Sequence, residues 1–293
     1  MLNTFHLDSH ALVYNSPMIG KVFFRTLLKK IYLYRLIHSY NRFIVARSYY
    51  KAKLRLIYRW SVKNSEDSNF YYDLEERNLL YLANLIAYVT STSVESVRKY
   101  FNEILSDKAF KLHIEEGFHL SGYDKNVEVK IGRRVGWYAI ARITKPSVIV
   151  ETGVDHGVGA CILIKALLLN ESEGFSGSYF GTDIDLTAGQ LLRDDYSRVG
   201  KILYGDSLKS LDSFNKKIDL FINDSDHSSD YEYLEYKKVL GKLSSTAIII
   251  GDNAHVTDSL ARFSAEESRH FLFFREEPKN HWYPGAGIGI SFK

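Results

Sequence analysis

The chain has 293 residues, of which 45% are hydrophobic and 25% are charged, a composition typical of a globular protein with one large domain and an appendage. A single cysteine, Cys161, excludes an internal disulfide framework and a zinc cluster built on cysteines. The formal net charge of +3 is unevenly distributed, because residues 20–63 contain twelve Lys and Arg and no Asp or Glu. The first residues lack a signal-peptide pattern and no apolar run is long enough to span a bilayer, so we predict a cytoplasmic protein.

The N-terminal part of the chain is expected to be helical and positively charged. We expect residues 1–19 to be irregular and residues 20–129 to form a helical segment, because neither Gly nor Pro occurs from position 21 to 116. Within 21–62, apolar residues recur at the spacing of a helix, and the polar positions between them are mostly Lys or Arg. This pattern predicts a basic, amphipathic helical region.

Three interpretations of this basic segment remain open. The first is a helix that lies on an anionic membrane at its inner face, or binds a lipid-linked saccharide, with basic side chains on one face and apolar ones on the other. The second is docking on the rest of its own chain or on a second subunit of a homo-oligomer, which the balance of −8 over residues 66–293 favours. Nucleic acid is a less favoured partner, because no recognised binding motif accompanies the interleaved aromatic residues.

Residues 130–293 alternate short β-branched runs with helical patterns, which predicts an α/β domain with a mostly parallel, Rossmann-like sheet. The strands are expected at 147–153, 178–184, 201–206, 218–224 and 246–252. Helices are expected between them at 158–170, 187–199 and 228–243. Two final apolar runs without a long helix between them indicate a terminal antiparallel hairpin.

A glycine-rich turn, "VETGVDHGVGA" at residues 150–160, follows the first predicted strand. Its three glycines are Gly153, Gly157 and Gly159, and Glu151 lies two positions before the first of them. This spacing differs from the G-x-G-x-x-G of a dinucleotide site, and the turn lacks the Gly-Lys of a triphosphate-binding loop. A carboxylate repels phosphate and attracts a cationic amino group, so the turn favours a zwitterionic, sulfonium-bearing ligand.

Four further acids stand at the ends of the later strands, namely Asp183, Asp206, Asp224 and Asp252. Ligands of open parallel sheets bind outside the carboxyl ends of the strands, so we expect these side chains to face one site. Each acid could instead cap the helix that follows it. For Asp206 taken alone, the two interpretations carry about equal weight.

The ordered set of glycines and acids resembles the class I S-adenosylmethionine-dependent methyltransferases over residues 130–293. The resemblance implies that Asp183 holds the ribose hydroxyls, with Asp185 as a possible substitute, and that Asp206 lies near the adenine. The cofactor residues that it implies are Glu151, Gly153, Gly157, Gly159, Asp183, Asp185, Asp206, Ser207 and Asp224.

A narrower resemblance is carried by "INDSDHSSDY" and "IIIGDNAH". These strings resemble the metal-dependent O-methyltransferases of the catechol and caffeoyl-CoA type, and more closely those that modify macrocin and novobiocin sugars. The resemblance implies Asp224, Asp252 and Asn253 as magnesium ligands, and magnesium prefers such oxygen ligands. The same Asp252 and Asn253 could alternatively form a turn.

The general base implied by the resemblance is Asp226. His227 and His255 flank the two acidic strings, and either could take the proton if no metal binds. We therefore expect a methyltransferase that uses S-adenosylmethionine and magnesium to methylate a hydroxyl of a sugar or glycan-type acceptor.

Two other classes of function stay open. A non-catalytic protein could retain the cofactor-binding fold. An NAD-linked oxidoreductase is disfavoured by the glycine spacing.

Overall fold

The computed structural model describes Arg25 and residues 33–63, 72–122 and 129–293. The chain divides into two compact units between Val62 and Lys63. The irregular N-terminus predicted for residues 1–19, and most of the predicted helix before Leu33, lie outside the described residues.

The first unit is described as a single helix, α1, from Leu33 to Lys63. Almost all of its described side chains are exposed. The helical prediction is confirmed here, but the expected separation into two faces is weak, because Arg47, Lys51 and Arg55 lie four residues apart and interrupt the apolar side. None of the described helices is long and apolar enough to cross a membrane.

Among the described residues of the second unit, four helices precede the sheet: α2 (Glu76–Val89), α3 (Val94–Leu105), α4 (Lys108–Leu120) and α5 (Arg134–Thr144). Ser93 caps α3 by accepting a hydrogen bond from the amide of Ser96, and Asp107 caps α4 in the same way. Their apolar faces share one core with the sheet, so the compact unit extends further towards the N-terminus than the catalytic domain predicted from residue 130.

The sheet has seven strands in the order β3-β2-β1-β4-β5-β7-β6. The strands are β1 (Val148–Thr152), β2 (Ser178–Asp183), β3 (Gly200–Tyr204), β4 (Ile218–Asn223), β5 (Leu243–Gly251), β6 (His270–Arg275) and β7 (Gly287–Phe292). The first five run parallel, and β7 pairs antiparallel with both β5 and β6. This topology confirms the predicted Rossmann-like sheet and its terminal antiparallel pair.

The remaining helices alternate with the strands: α6 (Val158–Ser172), α7 (Asp195–Val199), α8 (Ser207–Ser213), α9 (Ser229–Leu240) and α10 (Ser259–Glu266). The central strands are buried on both faces, as their continuous apolar runs predict. Because β1 and β4 are neighbours and the chain crosses from one half of the sheet to the other between them, their carboxyl ends lie at the topological switch point.

The helix predicted at 187–199 is wrong over most of its length, since only Asp195–Val199 is helical. The preceding residues form turns, and two local features explain them. The Asp185 carboxylate accepts hydrogen bonds from the amide and the hydroxyl of Thr187, both at 2.8 Å, which holds a tight turn. Gly189 then takes a left-handed conformation with φ of 75°, which a helix does not allow.

Candidate active site

A cavity of about 650 Å³ opens at the carboxyl ends of the parallel strands. Its wall contains seven carboxylates and two guanidinium groups, so it is strongly acidic. Ten of the residues predicted from sequence line it: Glu151, Gly153, Gly159, Asp183, Asp206, Ser207, Asp224, Asp226, Asp252 and Asn253. The four acids predicted at the strand ends therefore line one cavity.

The glycine turn allows two parts of the backbone to meet closely. Gly153 has φ of 80°, and a Cβ at this position would lie 2.1 Å from the carbonyl oxygen of Asp224 at the end of β4. At Gly159, a Cβ would lie 2.7 Å from Oε1 of Glu151 and 2.9 Å from the ring of Trp137. One glycine therefore lets β1 and β4 deliver their loops side by side, and the other leaves room for the acidic side chain.

Glu151 is a buried carboxylate on the cavity wall and is only 1% exposed. The hydroxyl of Tyr179 donates a hydrogen bond to its Oε2. Burial raises the pKa of Glu151 to about 8, although Tyr179 and the charge of Arg134 oppose the shift. A buried carboxylate of this kind is well suited to a ligand that brings its own positive charge.

Asp183, at the end of β2, holds the glycine turn from the opposite side. Its Oδ2 accepts hydrogen bonds from the amides of Val154 at 2.8 Å and Asp155 at 2.9 Å, and its Oδ1 accepts from Asp185 at 2.9 Å. A carboxylate oxygen has two acceptor positions, so Oδ1 keeps one for a ligand hydroxyl. Asp183 therefore anchors the turn in addition to lining the cavity.

Asp206 is the N-cap of α8, because its carboxylate accepts a hydrogen bond from the amide of Lys209 at 3.0 Å. It also lines the cavity, so the two interpretations of its role are compatible. Ser207 beside it is buried and contacts Tyr231 at 2.8 Å between the two hydroxyl oxygens.

Glu235 ties several strand ends together beneath this part of the cavity. It is fully buried and accepts hydrogen bonds from Thr152 at 3.2 Å and Ser225 at 2.7 Å, and also from Ser207 and Asn223. Burial raises the pKa of Glu235, against the effect of these donors. One side chain of α9 thus fixes the ends of β1 and β4 and the start of α8.

Two of the predicted cofactor residues do not line the cavity. Gly157 is the N-cap of α6 with φ of 101°, and a Cβ there would lie 2.9 Å from Leu192 and 3.2 Å from Gly189. The left-handed backbone and this close approach account for a glycine at this position. Asp185 is exposed and holds the local turn with Thr187. Neither position faces the cavity in the way the sequence interpretation requires.

At the other end of the cavity, arginines contact the two predicted metal-binding carboxylates. Asp252 is buried, and both of its oxygens accept hydrogen bonds from Arg133, with Nε to Oδ1 at 2.5 Å. Asp224 pairs with Nη2 of Arg134 at 3.5 Å. Burial and the Asp252 carboxylate raise the pKa of Asp224, whereas Arg133 outweighs the effect of burial and lowers the pKa of Asp252.

The two histidines that flank these acids lie in different environments. His227 is half-buried, with Nε2 at 3.0 Å from Nδ2 of Asn253 and 3.8 Å from Oδ1 of Asp224. His255 is exposed, and partial desolvation together with the charges of Arg133 and Arg275 lowers its pKa. Neither histidine is part of the cavity wall.

The predicted magnesium ligands are brought together, but their oxygens do not fit a metal ion. Both oxygens of Asp252 and Oδ1 of Asn253 accept hydrogen bonds from Arg133, so three of the donor atoms already face a cation. The expectation of a magnesium site therefore has no support in this geometry.

Sequence reasoning missed the residues that surround the predicted ones. Arg133 and Arg134 lie at the start of α5, and their doublet is the only local signal that they carry. Glu235 and Glu276 lie within ordinary polar patterns, and nothing nearby in the sequence indicates that both are fully buried. Only the packing of distant parts of the chain shows that these four residues belong to the site or support it.

Part of the sequence and the fold are similar to those of known proteins. Residues 150–254 match the family model described as a methyltransferase domain. The fold is similar to an O-methyltransferase from Bacillus cereus in complex with SAH, with a TM-score of 0.50 at 17% identity, covering 67% of this chain and 96% of that one. It is also similar to cofactor-bound Rv0187 from MTB, with a TM-score of 0.50 at 11% identity, covering 65% and 92%. Comparison with curated proteins gives no match.

Proposed function

We propose that this chain, a class I S-adenosylmethionine-dependent methyltransferase by its fold and its methyltransferase domain, transfers a methyl group to a hydroxyl of a sugar or glycan-type acceptor. The observation that carries the proposal is the single cavity, which joins the acidic glycine turn to the carboxylates at the ends of β4 and β5. The similar protein from Bacillus cereus is named an O-methyltransferase, which supports oxygen as the acceptor atom.

The charge of the cavity supports a cationic cofactor. Seven carboxylates face two guanidinium groups, so a ligand with a sulfonium and an ammonium group is favoured over a doubly charged pyrophosphate. In this proposal Glu151 accepts a hydrogen bond from the ammonium group and the remaining acceptor position of Asp183 takes a ribose hydroxyl. Asp206 and Ser207 lie beside the adenine. The same charge argument disfavours the NAD-linked alternative.

The chemical step is an in-line displacement. The acceptor oxygen attacks the methyl carbon, the carbon–oxygen bond forms as the carbon–sulfur bond breaks, and the sulfur keeps the bonding electron pair to give S-adenosylhomocysteine (SAH). The cavity's main contribution is to align these atoms. We assign the departing proton to Oδ2 of Asp226, which is exposed on the cavity wall, while its Oδ1 accepts a hydrogen bond from the amide of Ser228 at 2.8 Å.

Calorimetric titration of the full chain with SAH tests the cofactor. We expect saturable binding of one SAH per chain, and absence of binding would contradict the enzyme assignment. Binding without methylation of any acceptor would favour the non-catalytic alternative. Transfer of labelled methyl groups to a panel of monosaccharides, oligosaccharides and catechols tests the acceptor, and methylation of catechols alone would contradict a sugar acceptor.

Matched variants test the base. We expect Asp226→Asn to lower kcat by about 10²- to 10⁴-fold while SAH affinity stays within about twofold. His227→Gln and His255→Gln are the comparison variants and should retain most of the activity. If one of the histidine variants loses activity and Asp226→Asn does not, the proton acceptor is that histidine.

For helix α1 we propose binding to an anionic membrane surface, and three features support this. The helix contains eight Lys and Arg and no acid over Leu33–Lys63. Large apolar side chains are exposed along its length, among them Tyr40, Phe43 and Tyr49 at 63%, 59% and 70%. Aromatic and basic side chains together suit the headgroup region, where each basic residue contributes about 1 kcal/mol.

Sedimentation with liposomes tests this proposal on the full chain. We expect binding to vesicles with anionic lipid, weaker binding in high salt, and none to neutral vesicles. The charge-reversed variant R47E/K51E/R55E should lose most of the binding, while K99E/K108E/K201E, with the same charge change on exposed positions of the second unit, should retain most of it. Equal loss in both variants would contradict a specific role of α1. Binding to a nucleic acid in place of vesicles would identify the less favoured partner.

A further inference from the structure

Asp224, Asp252 and Asn253 line one end of the cavity, which we call the acceptor end. The sequence predicts a magnesium ion there, but the protein already supplies a cation, the guanidinium group of Arg133. We infer that the Arg133 guanidinium takes the place of a divalent metal between Asp252 and Asn253, so that this site neither needs nor binds a metal. The part of the inference that concerns methyl transfer rests on the proposed function. The part that concerns metal binding rests on the geometry alone.

Arg133 makes the contacts that a metal would otherwise make. Its Nε donates to Oδ1 of Asp252 at 2.5 Å, its Nη2 donates to Oδ2 of the same carboxylate, and Nη2 also donates to Oδ1 of Asn253 at 3.3 Å. The planar fork of a guanidinium matches a carboxylate in this two-point manner, and the group stays charged at every relevant pH. The two oxygen-bearing residues are therefore satisfied by a permanent cation.

Arg133 also contacts a second buried carboxylate, that of Glu276. Nη1 of Arg133 donates to Oε2 of Glu276 at 3.2 Å, and its backbone amide donates to Oε1 at 3.1 Å. Glu276 is fully buried and accepts further hydrogen bonds from the hydroxyl of Tyr72 at 2.8 Å and the amide of Ala286 at 3.1 Å. Arg133 therefore lies between two buried carboxylates, and moving it would leave both without their charge partner.

This arrangement disfavours a metal on two grounds. A divalent ion at Asp252 would have to displace a bidentate hydrogen-bonded pair, and breaking a buried ion pair on one side is strongly unfavourable. It would also approach a second positive charge, since Nη2 of Arg134 lies 3.5 Å from Oδ2 of Asp224. Each predicted metal-binding carboxylate thus faces its own guanidinium.

Metal binding to the wild-type chain is the first test. Mn²⁺ is titrated into the full-length protein saturated with SAH, and free Mn²⁺ is measured by electron paramagnetic resonance. We expect no site tighter than roughly millimolar. A one-to-one site in the micromolar range that weakens in Asp252→Asn would overturn the inference, and this measurement decides the question without any arginine variant.

Removal of the guanidinium is the second test. Arg133→Ala opens the oxygens of Asp252 and Asn253, so a folded variant should bind Mn²⁺ at least about tenfold more tightly than the wild type. Arg142→Ala is the matched control, because Arg142 is also buried and paired with carboxylates, on Glu103 and Glu173. It should show no such gain. A folded Arg133→Ala without a gain would contradict the inference.

Neither measurement requires turnover, so failure of the methyl-transfer proposal is distinguishable from failure of this inference. Where activity is found, a chelator should leave the rate unchanged. Loss of activity on chelation that added Mg²⁺ restores would overturn the metal-independent step.

Discussion

The two ends of the cavity differ in how they are built. At the cofactor end, the glycine turn after β1 and the acid at the end of β2 form a compact backbone structure, in which Asp183 accepts from the amides of Val154 and Asp155. At the acceptor end, side chains from distant parts of the chain meet, with Arg133 contacting positions 119 and 143 residues away. Short-range order therefore defines one end, and long-range ion pairs define the other.

This difference has a physical consequence for function. A backbone turn presents fixed amide dipoles and close contacts, so it tolerates little change in shape. An ion-pair network consists of charges that compensate one another, so removal of one partner leaves a buried charge without compensation. Substitutions at the cofactor end should therefore act through the shape of the turn and through the carboxyl groups of Glu151 and Asp183.

The largest effect is expected for Gly153→Ala. Its Cβ would lie 2.1 Å from the carbonyl oxygen of Asp224, and the residue would also keep a φ of 80°. We expect SAH binding to weaken by roughly a hundredfold or more and stability to fall by more than about 2 kcal/mol, measured by calorimetry and urea unfolding. The control is Gly174→Ala, with φ of 91° and open space around the Cβ, which should cost about 1 kcal/mol and leave SAH binding intact. Equal effects of the two substitutions would contradict the role of the close contact.

Glu151→Gln should have the next largest effect. Loss of the carboxylate removes a charged hydrogen bond, so we expect SAH affinity to fall roughly tenfold to a hundredfold. In the wild type the pKa of Glu151 is raised to about 8, so the free protein must lose a proton to bind an ammonium group at lower pH. Affinity should therefore rise with pH up to about 8 and level off above it.

Comparison of Glu151→Gln with the wild type separates the titration of the Glu151 carboxyl group from that of the ligand's own ammonium group. The ammonium group titrates in the same way with either protein. Calorimetry from pH 6 to 9 should give a steeper rise for the wild type than for Glu151→Gln. Parallel profiles would show that Glu151 does not contact the charged group.

Substitution of Asp183 should have an intermediate effect on SAH affinity, whereas substitution of the nearby Asp185 should have little effect. Asp183→Ala removes the acceptor of three backbone amides, so we expect roughly tenfold weaker SAH binding and lower stability. Asp185→Ala removes only the local turn with Thr187 and should change affinity by less than about twofold. The opposite order would transfer the ribose contact to Asp185.

Among the substitutions that should weaken binding, Tyr179→Phe is expected to have the smallest effect. The Tyr179 hydroxyl donates to Glu151 and favours its ionised form, so its removal should raise the pKa of Glu151 further. SAH affinity at pH 7 should fall by roughly threefold, and the pH at which affinity levels off should move upward. A decrease that is the same at every pH would indicate a change of packing instead of a change of protonation.

Much of the cofactor end could be predicted from sequence, and the reasons are local. Gly153 is required by the turn directly after β1, and Gly159, in the first turn of α6, leaves room for Glu151, which lies on β1 two positions before Gly153. The order of strands and the acids at their ends follows from hydrophobic runs separated by helices. The same approach was wrong at 187–199, where Asp185 and Gly189 favour turns over a helix.

The acceptor end could be predicted only in part. The sequence indicated Asp224 and Asp252 because they follow two predicted strands, β4 and β5, which are neighbours in the sheet, and the family resemblance added Asn253. It gave no sign that Arg133, from the start of a helix on another part of the chain, would contact two of them. The difference between a magnesium site and an arginine site depends on that one contact.

The sequence by itself determined the fold class, the acidic glycine turn and the set of carboxylates at the strand ends, because hydrophobic periodicity and backbone geometry act over a few residues. Only the tertiary structure decided which cation those carboxylates face and which acids reach the cavity. Packing of α5 and the turn before β7 against the sheet places Arg133 between Asp252 and Glu276, and the charge balance of the site follows from that placement.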